Sequence, residues 1–122
     1  MEYSSQTDAL SSTWVDSGLE LSITPSSTSS KILIVTDQNT RVESSWMGYR
    51  LLRDGTAVKQ SAYVNYSSSG LMNNQTAFNH LDSPSTTSAV TYKCQLNMHS
   101  GTTSKVNDNA AIATMVLMEI AG

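Results

Sequence analysis

Val90, Tyr92, Cys94, Leu96 and Met98 alternate with Thr91, Lys93, Gln95 and Asn97. A period of two sends one set to a buried face and the other to water, which is the signature of a half-buried β-strand. Just upstream, Leu81-Asp82-Ser83-Pro84 reads as a turn. Asp and Ser bond there to nearby backbone, and Pro fixes its own φ. No stretch of the chain shows an amphipathic helical stripe with caps, so this strand must find its partners in other strands.

The remaining sequence supplies them. Within 13–24, Leu19, Leu21 and Ile23 alternate with Glu20, Ser22 and Thr24. Gly18 marks a turn or bulge there, and Pro25 stops the ladder because it has no N–H to donate. Ile32, Leu33, Ile34 and Val35 run without interruption in 31–36, the pattern of a strand covered on both faces. Residues 37–40 read as a polar loop. Residues 44–53 carry Trp46, Met47, Tyr49, Leu51 and Leu52, and Asp54-Gly55 predicts a two-residue hairpin turn into 56–59. Tyr63, Val64 and Tyr66 predict a short strand before the serine loop at 67–70, and 75–80 predicts another. Ser100-Gly101 and Asn107-Asp108-Asn109 are turns on either side of 102–106. In 110–120, Ile112, Val116, Met118 and Ile120 point one way, and Ala111, Ala113, Met115 and Leu117 the other. That strand, too, reads as a central one, or as one covered on its second face by another subunit. About eight short strands with Ser, Gly, Pro, Asn and Asp between them predict an all-β antiparallel sandwich, jelly-roll-like in topology. It spans 13–122.

Residues 1–12 are polar, with little to bury, and read as an N-terminal arm. A terminus is ordered only when something ties it down. An ordered arm is therefore expected to contact a shell or a neighbouring subunit, through Glu2, Tyr3, Gln6 and Leu10. The same residues lack the basic start and apolar core of a secretory signal. No apolar run approaches the roughly 18 residues of a membrane helix. The net charge is −3 and the seven Lys and Arg are scattered, so neither a nucleic acid nor a membrane is expected as a partner. Only 14% of the residues are charged, too few for a disordered chain, while Ser and Thr fill the wet faces that a sheet presents.

Catalytic and metal-binding patterns do not accumulate. His80, His99 and the single Cys94 have no metal-ligand spacing, and neither metal nor cofactor is expected. Cys94 lies on the apolar side of its strand and reads as a small buried hydrophobe. No G-x-S-x-G elbow occurs. Most of the Asp residues (Asp16, Asp37, Asp54, Asp82 and Asp108) fall singly in turn-like contexts, where Asp is common for local reasons. A glycan-cleaving pair of carboxylates is therefore not indicated, and no enzyme is expected. Trp46 and Tyr49 are expected in the core. Tyr63 and Tyr66, beside the serine loop, are candidate surface recognition residues, because exposed aromatics stack on sugars or anchor interfaces.

Several motifs occur together in one order: Thr24-Pro25-Ser26-Ser27-Thr28-Ser29-Ser30-Lys31-Ile32-Leu33-Ile34, Leu51-Leu52-Arg53-Asp54-Gly55-Thr56, Leu81-Asp82-Ser83-Pro84 with Thr91-Tyr92-Lys93, and Thr114-Met115-Val116-Leu117-Met118-Glu119-Ile120. From Trp14 to Ile120 the chain resembles a β-sandwich domain of aquatic, cyanophage-type bacteriophage virions. That domain is found at the C-terminal ends of tail-fibre-like proteins and in small capsid decoration proteins. The resemblance implies a compact, non-enzymatic, usually homotrimeric sandwich exposed on a virion surface. Only about a dozen residues precede the domain here, against the long shaft of a fibre. The expectation is therefore a capsid cement or decoration protein that stabilises the outer shell through the major capsid protein or other virion proteins. The alternative is the receptor-binding tip of a tail or head fibre, reading a host surface glycan with loops such as 61–74.

Overall fold

A computed structural model describes residues 1–9, 12–98 and 103–122, with side chains described for these except Ala9 and Thr103. The predicted contact residue Leu10, His99 and the predicted Ser100-Gly101 turn lie outside the described residues. The strands are β1 (Glu2–Tyr3), β2 (Thr7–Ala9), β3 (Val15–Ile23), β4 (Lys31–Glu43), β5 (Trp46–Arg53), β6 (Thr56–Tyr66), β7 (Leu71–Asp82), β8 (Val90–Met98), β9 (Thr103–Val106) and β10 (Ala113–Ile120). A 3-10 turn, Asp108–Ala110, precedes β10. All pairings are antiparallel, and they form two facing sheets, as the alternation predicts.

The four-stranded sheet runs β3-β8-β5-β6. The six-stranded sheet is built on β4. One edge of β4 pairs with β7 from Ile32↔Asp82 to Glu43↔Leu71. Its other edge is shared end to end by β10, against 31–37, and β9, against 40–43. β1 adds to the outside of β10 and β2 to the outside of β9. The first nine residues are thus tied down by their own chain. Short as they are, they satisfy the outer backbone groups of two strands, and the Tyr3 ring packs against the core.

β4 is twice as long as its apolar run predicts. Residues 37–40, read as a loop, continue the strand. Period two is unbroken: Ile32, Ile34, Thr36, Gln38, Thr40 and Val42 are all buried. Their polar members survive burial by bonding across strands and sheets. The Thr36 hydroxyl donates to Phe78 O at 3.0 Å, Thr40 and Thr76 share a bond at 2.9 Å, and Tyr49 donates its hydroxyl to Gln38 Oε1. From the opposite sheet, Asn65 Nδ2 donates to Thr40 O at 3.2 Å. A hydrogen-bonded polar group costs little to bury, so a polar stretch of sequence need not be a loop.

β6 and β7 are also longer than predicted, and between them only residues 67–70 form a loop. The predicted recognition loop, 61–74, is therefore mostly strand. Asp82 ends β7 inside the sandwich and does not open a turn. The Asp54-Gly55 turn is present, with φ of 47° and 86° at its two residues, as a two-residue hairpin demands. Gly18 (φ 93°) sits in the register shift of β3 between Asp16 and Glu20. Among the described residues ten strands stand where about eight were expected, because the short edge pieces β1 and β2 carry no apolar alternation of their own.

Outside the core, β4 and β9 place Arg41 beside Lys105. Like charges directly across a ladder repel. Asp108 lies beside both. Its Oδ2 accepts from Arg41 Nη1 at 2.6 Å, and Lys105 Nζ stands 4.0 Å from Oδ1. The Arg41 guanidinium holds the Asp108 carboxyl below its ordinary value of 3.8. The folded state therefore binds fewer protons than the unfolded chain near that value. This pair's stabilisation is complete above pH 3.8 and is lost as pH falls through the lower folded value. The urea midpoint is expected to drop between neutrality and pH about 3, and Arg41→Ala is expected to flatten that drop. Equal pH slopes in wild type and variant would remove the pair from the acid response.

Candidate interaction surface

The inner side of the six-stranded sheet faces the core, with Ile32, Ile34, Phe78, Ala113 and Met115 fully or nearly fully buried. The outer side follows from the same registers. Leu81, Leu33 and Met118 form one row across β7, β4 and β10, and Asn79, Val35 and Val116 form the next. Ile120 pairs with Lys31 at one end. At the other end a row runs Ala77, Asp37, Thr114 and Glu2, the last from β1. Strands stand about 4.8 Å apart, and neighbouring outward residues along a strand about 7 Å, so these rows make one continuous surface.

That surface is apolar and open. Val35 is 37% exposed, Ile120 44%, Val116 and Met118 45% each, and Leu81 47%. Leu33 between them is half-buried. Scattered exposed hydrophobes are ordinary, whereas the largest contiguous apolar patch of a protein, typically about 300–600 Å², is often functional. The apolar run in 31–36 and the two-sided pattern in 110–120 both predicted a second covered face. Among the described residues nothing covers that face.

The outer side of the four-stranded sheet is different in kind. Lys93 bridges Asp16 at 3.0 Å and Glu20 at 2.7 Å. Gln95 donates to Asp16 Oδ1 at 2.7 Å. This amide bond and the Lys93 ammonium hold the Asp16 carboxyl below its ordinary value, and Glu20 and Asp16 raise that of Lys93. A general acid needs the opposite shift. The Arg50 guanidinium donates to Gln95 Oε1 and lies 4.4 Å above the Trp14 ring. Cys94 is fully buried on the inner side, and burial pushes its thiol up to about 12. That makes it a packing residue and not a nucleophile. Among the described residues, no group of three or more His, Cys, Asp and Glu is placed to hold a metal.

The predicted surface residues Tyr63 and Tyr66 are 62% and 52% exposed. Both meet Trp46, at ring-centroid distances of 4.9 Å and 6.5 Å. Trp46, expected in the core, is only half-buried, because it stands on the outer side of β5, directly across from Tyr66. Tyr49 is buried, as expected. Sequence reasoning missed this three-ring cluster. Its signal was the Asp54-Gly55 hairpin, since counting outward from that turn sets 46 opposite 63, and two register shifts then bring Tyr66 opposite Trp46. Of the predicted arm contacts, Glu2 pairs with Thr114, Tyr3 packs inward, and Gln6 Nε2 donates to Asp8 Oδ1 at 2.7 Å.

No family model matches this chain, and no curated protein matches it significantly. Among solved structures it is similar to the D431N mutant VP2 protein of infectious bursal disease virus, in derived T=1 particles. The identity is 17% and the TM-score 0.48, over 96% of this chain. The match spans 35% of the VP2 chain.

Proposed function

We propose that this protein is a non-enzymatic structural component of a bacteriophage virion, a cement or decoration subunit that works as a homo-oligomer on the outer shell. The observation that carries the reading is the bare apolar face formed by Leu33, Val35, Leu81, Val116, Met118 and Ile120. The sequence resemblance supplies the virion setting and implies a trimer.

The magnitudes fit an assembly module. A patch of a few hundred Å² contributes about 5–10 kcal/mol when it leaves water. Association costs on the order of 4–15 kcal/mol in lost freedom. The apolar face alone is thus a near-balanced glue, and further contacts decide the outcome. Additional stability reaches the shell by mass action, since a partner that binds only the assembled state stabilises it. Antibodies raised against the purified protein are expected to label the exterior of intact particles that carry it. Absence from purified particles overturns the reading.

A second reading is favoured by the Trp46, Tyr63 and Tyr66 cluster: a receptor-binding tip that stacks a host glycan. It predicts that the free protein binds host cells or isolated lipopolysaccharide, and that Tyr63→Ala and Tyr66→Ala remove the binding. Unchanged binding in both variants sinks it.

A further inference from the structure

The apolar face is bracketed by charge in a way that selects its occupant. Along β4 the outward residues read Lys31, Leu33, Val35 and Asp37. A cation stands at one end of the apolar rows and a carboxylate at the other. Lys31 is exposed, and its outward neighbour across the ladder is Ile120, which carries no charge. Asp37 is half-buried, and Gln75 Nε2 donates to its Oδ1 at 2.7 Å, leaving Oδ2 without a bond from that amide. Glu2, also exposed, adds a second carboxylate to the same row. Arg41, further along the strand, is already engaged by Asp108. The face is therefore apolar in the middle, positive at the Lys31 end and negative at the Asp37 end.

We infer that the occupant of this face is a second copy of the chain, packed sheet against sheet with β4 antiparallel to its counterpart. Lys31 and Asp37 are equidistant from Ile34, roughly 10 Å to either side at the ordinary strand rise. A two-fold axis lying between the sheets, perpendicular to the strands and level with Ile34, superposes the apolar rows. It also brings Lys31 of each copy to Asp37 of the other. Such an interface is self-complementary, as a two-fold contact requires, and sheets pack face to face about 10 Å apart. A two-fold axis parallel to the strands would set Lys31 against Lys31 and Asp37 against Asp37. So would a three-fold axis running along them. The charge pattern disfavours both. Leu33 and Val35 then interleave with the same residues of the other copy, and Met118 meets Val116. This geometry rests on the reading of the face as an assembly surface, and it replaces the implied trimer with a pair.

The test uses the full chain in light scattering and analytical ultracentrifugation. Wild type is expected at twice the chain mass. By symmetry, Lys31→Glu converts two attractions into two repulsions, and so does Asp37→Lys. Each is expected to raise the dimer dissociation constant about tenfold or more, in a salt-dependent way. The double variant Lys31→Glu/Asp37→Lys restores opposite charges and is expected to return to within about threefold of wild type. Val35→Glu, at the centre, is expected to give a folded monomer by circular dichroism. A trimeric mass, failure of the double variant to rescue, or a monomer at about 100 µM overturns the inference. Particle labelling separates the two levels. A trimer or monomer still found on virions defeats only the pairing geometry, whereas a dimer absent from virions defeats only the virion role.

Discussion

Asp82→Ala is expected to destabilise the fold by about 2–4 kcal/mol, more than any other single side-chain truncation at a polar site here. The Asp82 carboxylate ends β7 in one sheet and is held entirely by the other. Its Oδ2 accepts from Arg53 Nη1 at 2.7 Å, at the end of β5, and from the Tyr92 hydroxyl at 2.7 Å, in the middle sheet position of β8. Tyr92 is fully buried. Removing the acceptor leaves its hydroxyl with no partner, a cost of about 1–3 kcal/mol. Arg53 also loses its counter-charge. Breaking a fully buried ion pair costs about 3–5 kcal/mol, but the Arg53 side chain is 28% exposed and can turn toward water, so the lower part of that range applies. Burial and the adjoining Asp82 carboxylate together raise the Tyr92 phenol well above its ordinary value. Asp82→Asn keeps an acceptor for the phenol and is expected to cost less than Asp82→Ala. Tyr92→Phe removes one donor without orphaning a buried group and is expected to cost about 1 kcal/mol. Urea unfolding followed by near-ultraviolet circular dichroism measures all three. A loss under about 0.5 kcal/mol for Asp82→Ala would mean that the two sheets are not joined through this carboxylate.

That role for Asp82 was hidden in the sequence by its neighbours. Asp-Ser-Pro has the chemistry of a turn, and local chemistry is all that a short window reports. What overrode it was tertiary. Arg53 lies 29 residues before Asp82 and Tyr92 ten after it, on other strands, and no periodicity links them to position 82. The same competition explains β4. Its apolar half, 31–36, was legible from Ile32 to Val35. Its polar half was not, because Thr36, Gln38 and Thr40 are inward-facing residues whose partners lie on β6, β7 and β5. The strand with the clearest hydrophobic alternation, β8, was placed correctly to the residue, and β3 and β10 to within two or three residues at their ends. Edges were not legible. β1 and β2 are held by backbone pairing, which any polar sequence can make. The interaction surface was half visible. Two-sided apolar strands implied that one sandwich could not cover both faces, yet only the registers of β7 and β10 on β4 show Leu81, Leu33 and Met118 lying in one row. The charge at each end of that row is likewise a property of register. Lys31 and Asp37 are unremarkable in sequence until the strand between them is known to be continuous.

Gly18→Val is expected to cost about 2–5 kcal/mol, from two separable sources. The backbone at Gly18 has φ 93°, where a side chain is strained and a β-branched one most of all. This part is on the order of 1–3 kcal/mol. The second source is Tyr3. A Cβ at Gly18 would overlap the edge of the Tyr3 ring, so the ring must leave its place against the core. Losing part of its burial costs about 1–2 kcal/mol. A double-mutant cycle separates the two. In a Tyr3→Ala background the ring is already gone, and Gly18→Val is expected to cost only the backbone part. The coupling is expected near 1–2 kcal/mol. Equal costs in both backgrounds would show that the N-terminal strand does not dock through this ring. The consequence reaches the outer face. Tyr3 and Glu2 are adjacent on β1, and Glu2 pairs with Thr114 in the row that also holds Asp37. Displacing Tyr3 therefore loosens one of the two carboxylates at the negative end of the apolar face. Gly18→Val is expected to weaken self-association as well as stability, though the substituted residue lies in the other sheet. Tyr3→Ala should reproduce the association defect without the backbone strain. If it leaves the dissociation constant unchanged while Asp37→Lys raises it, Asp37 alone supplies the negative end and Glu2 is a bystander.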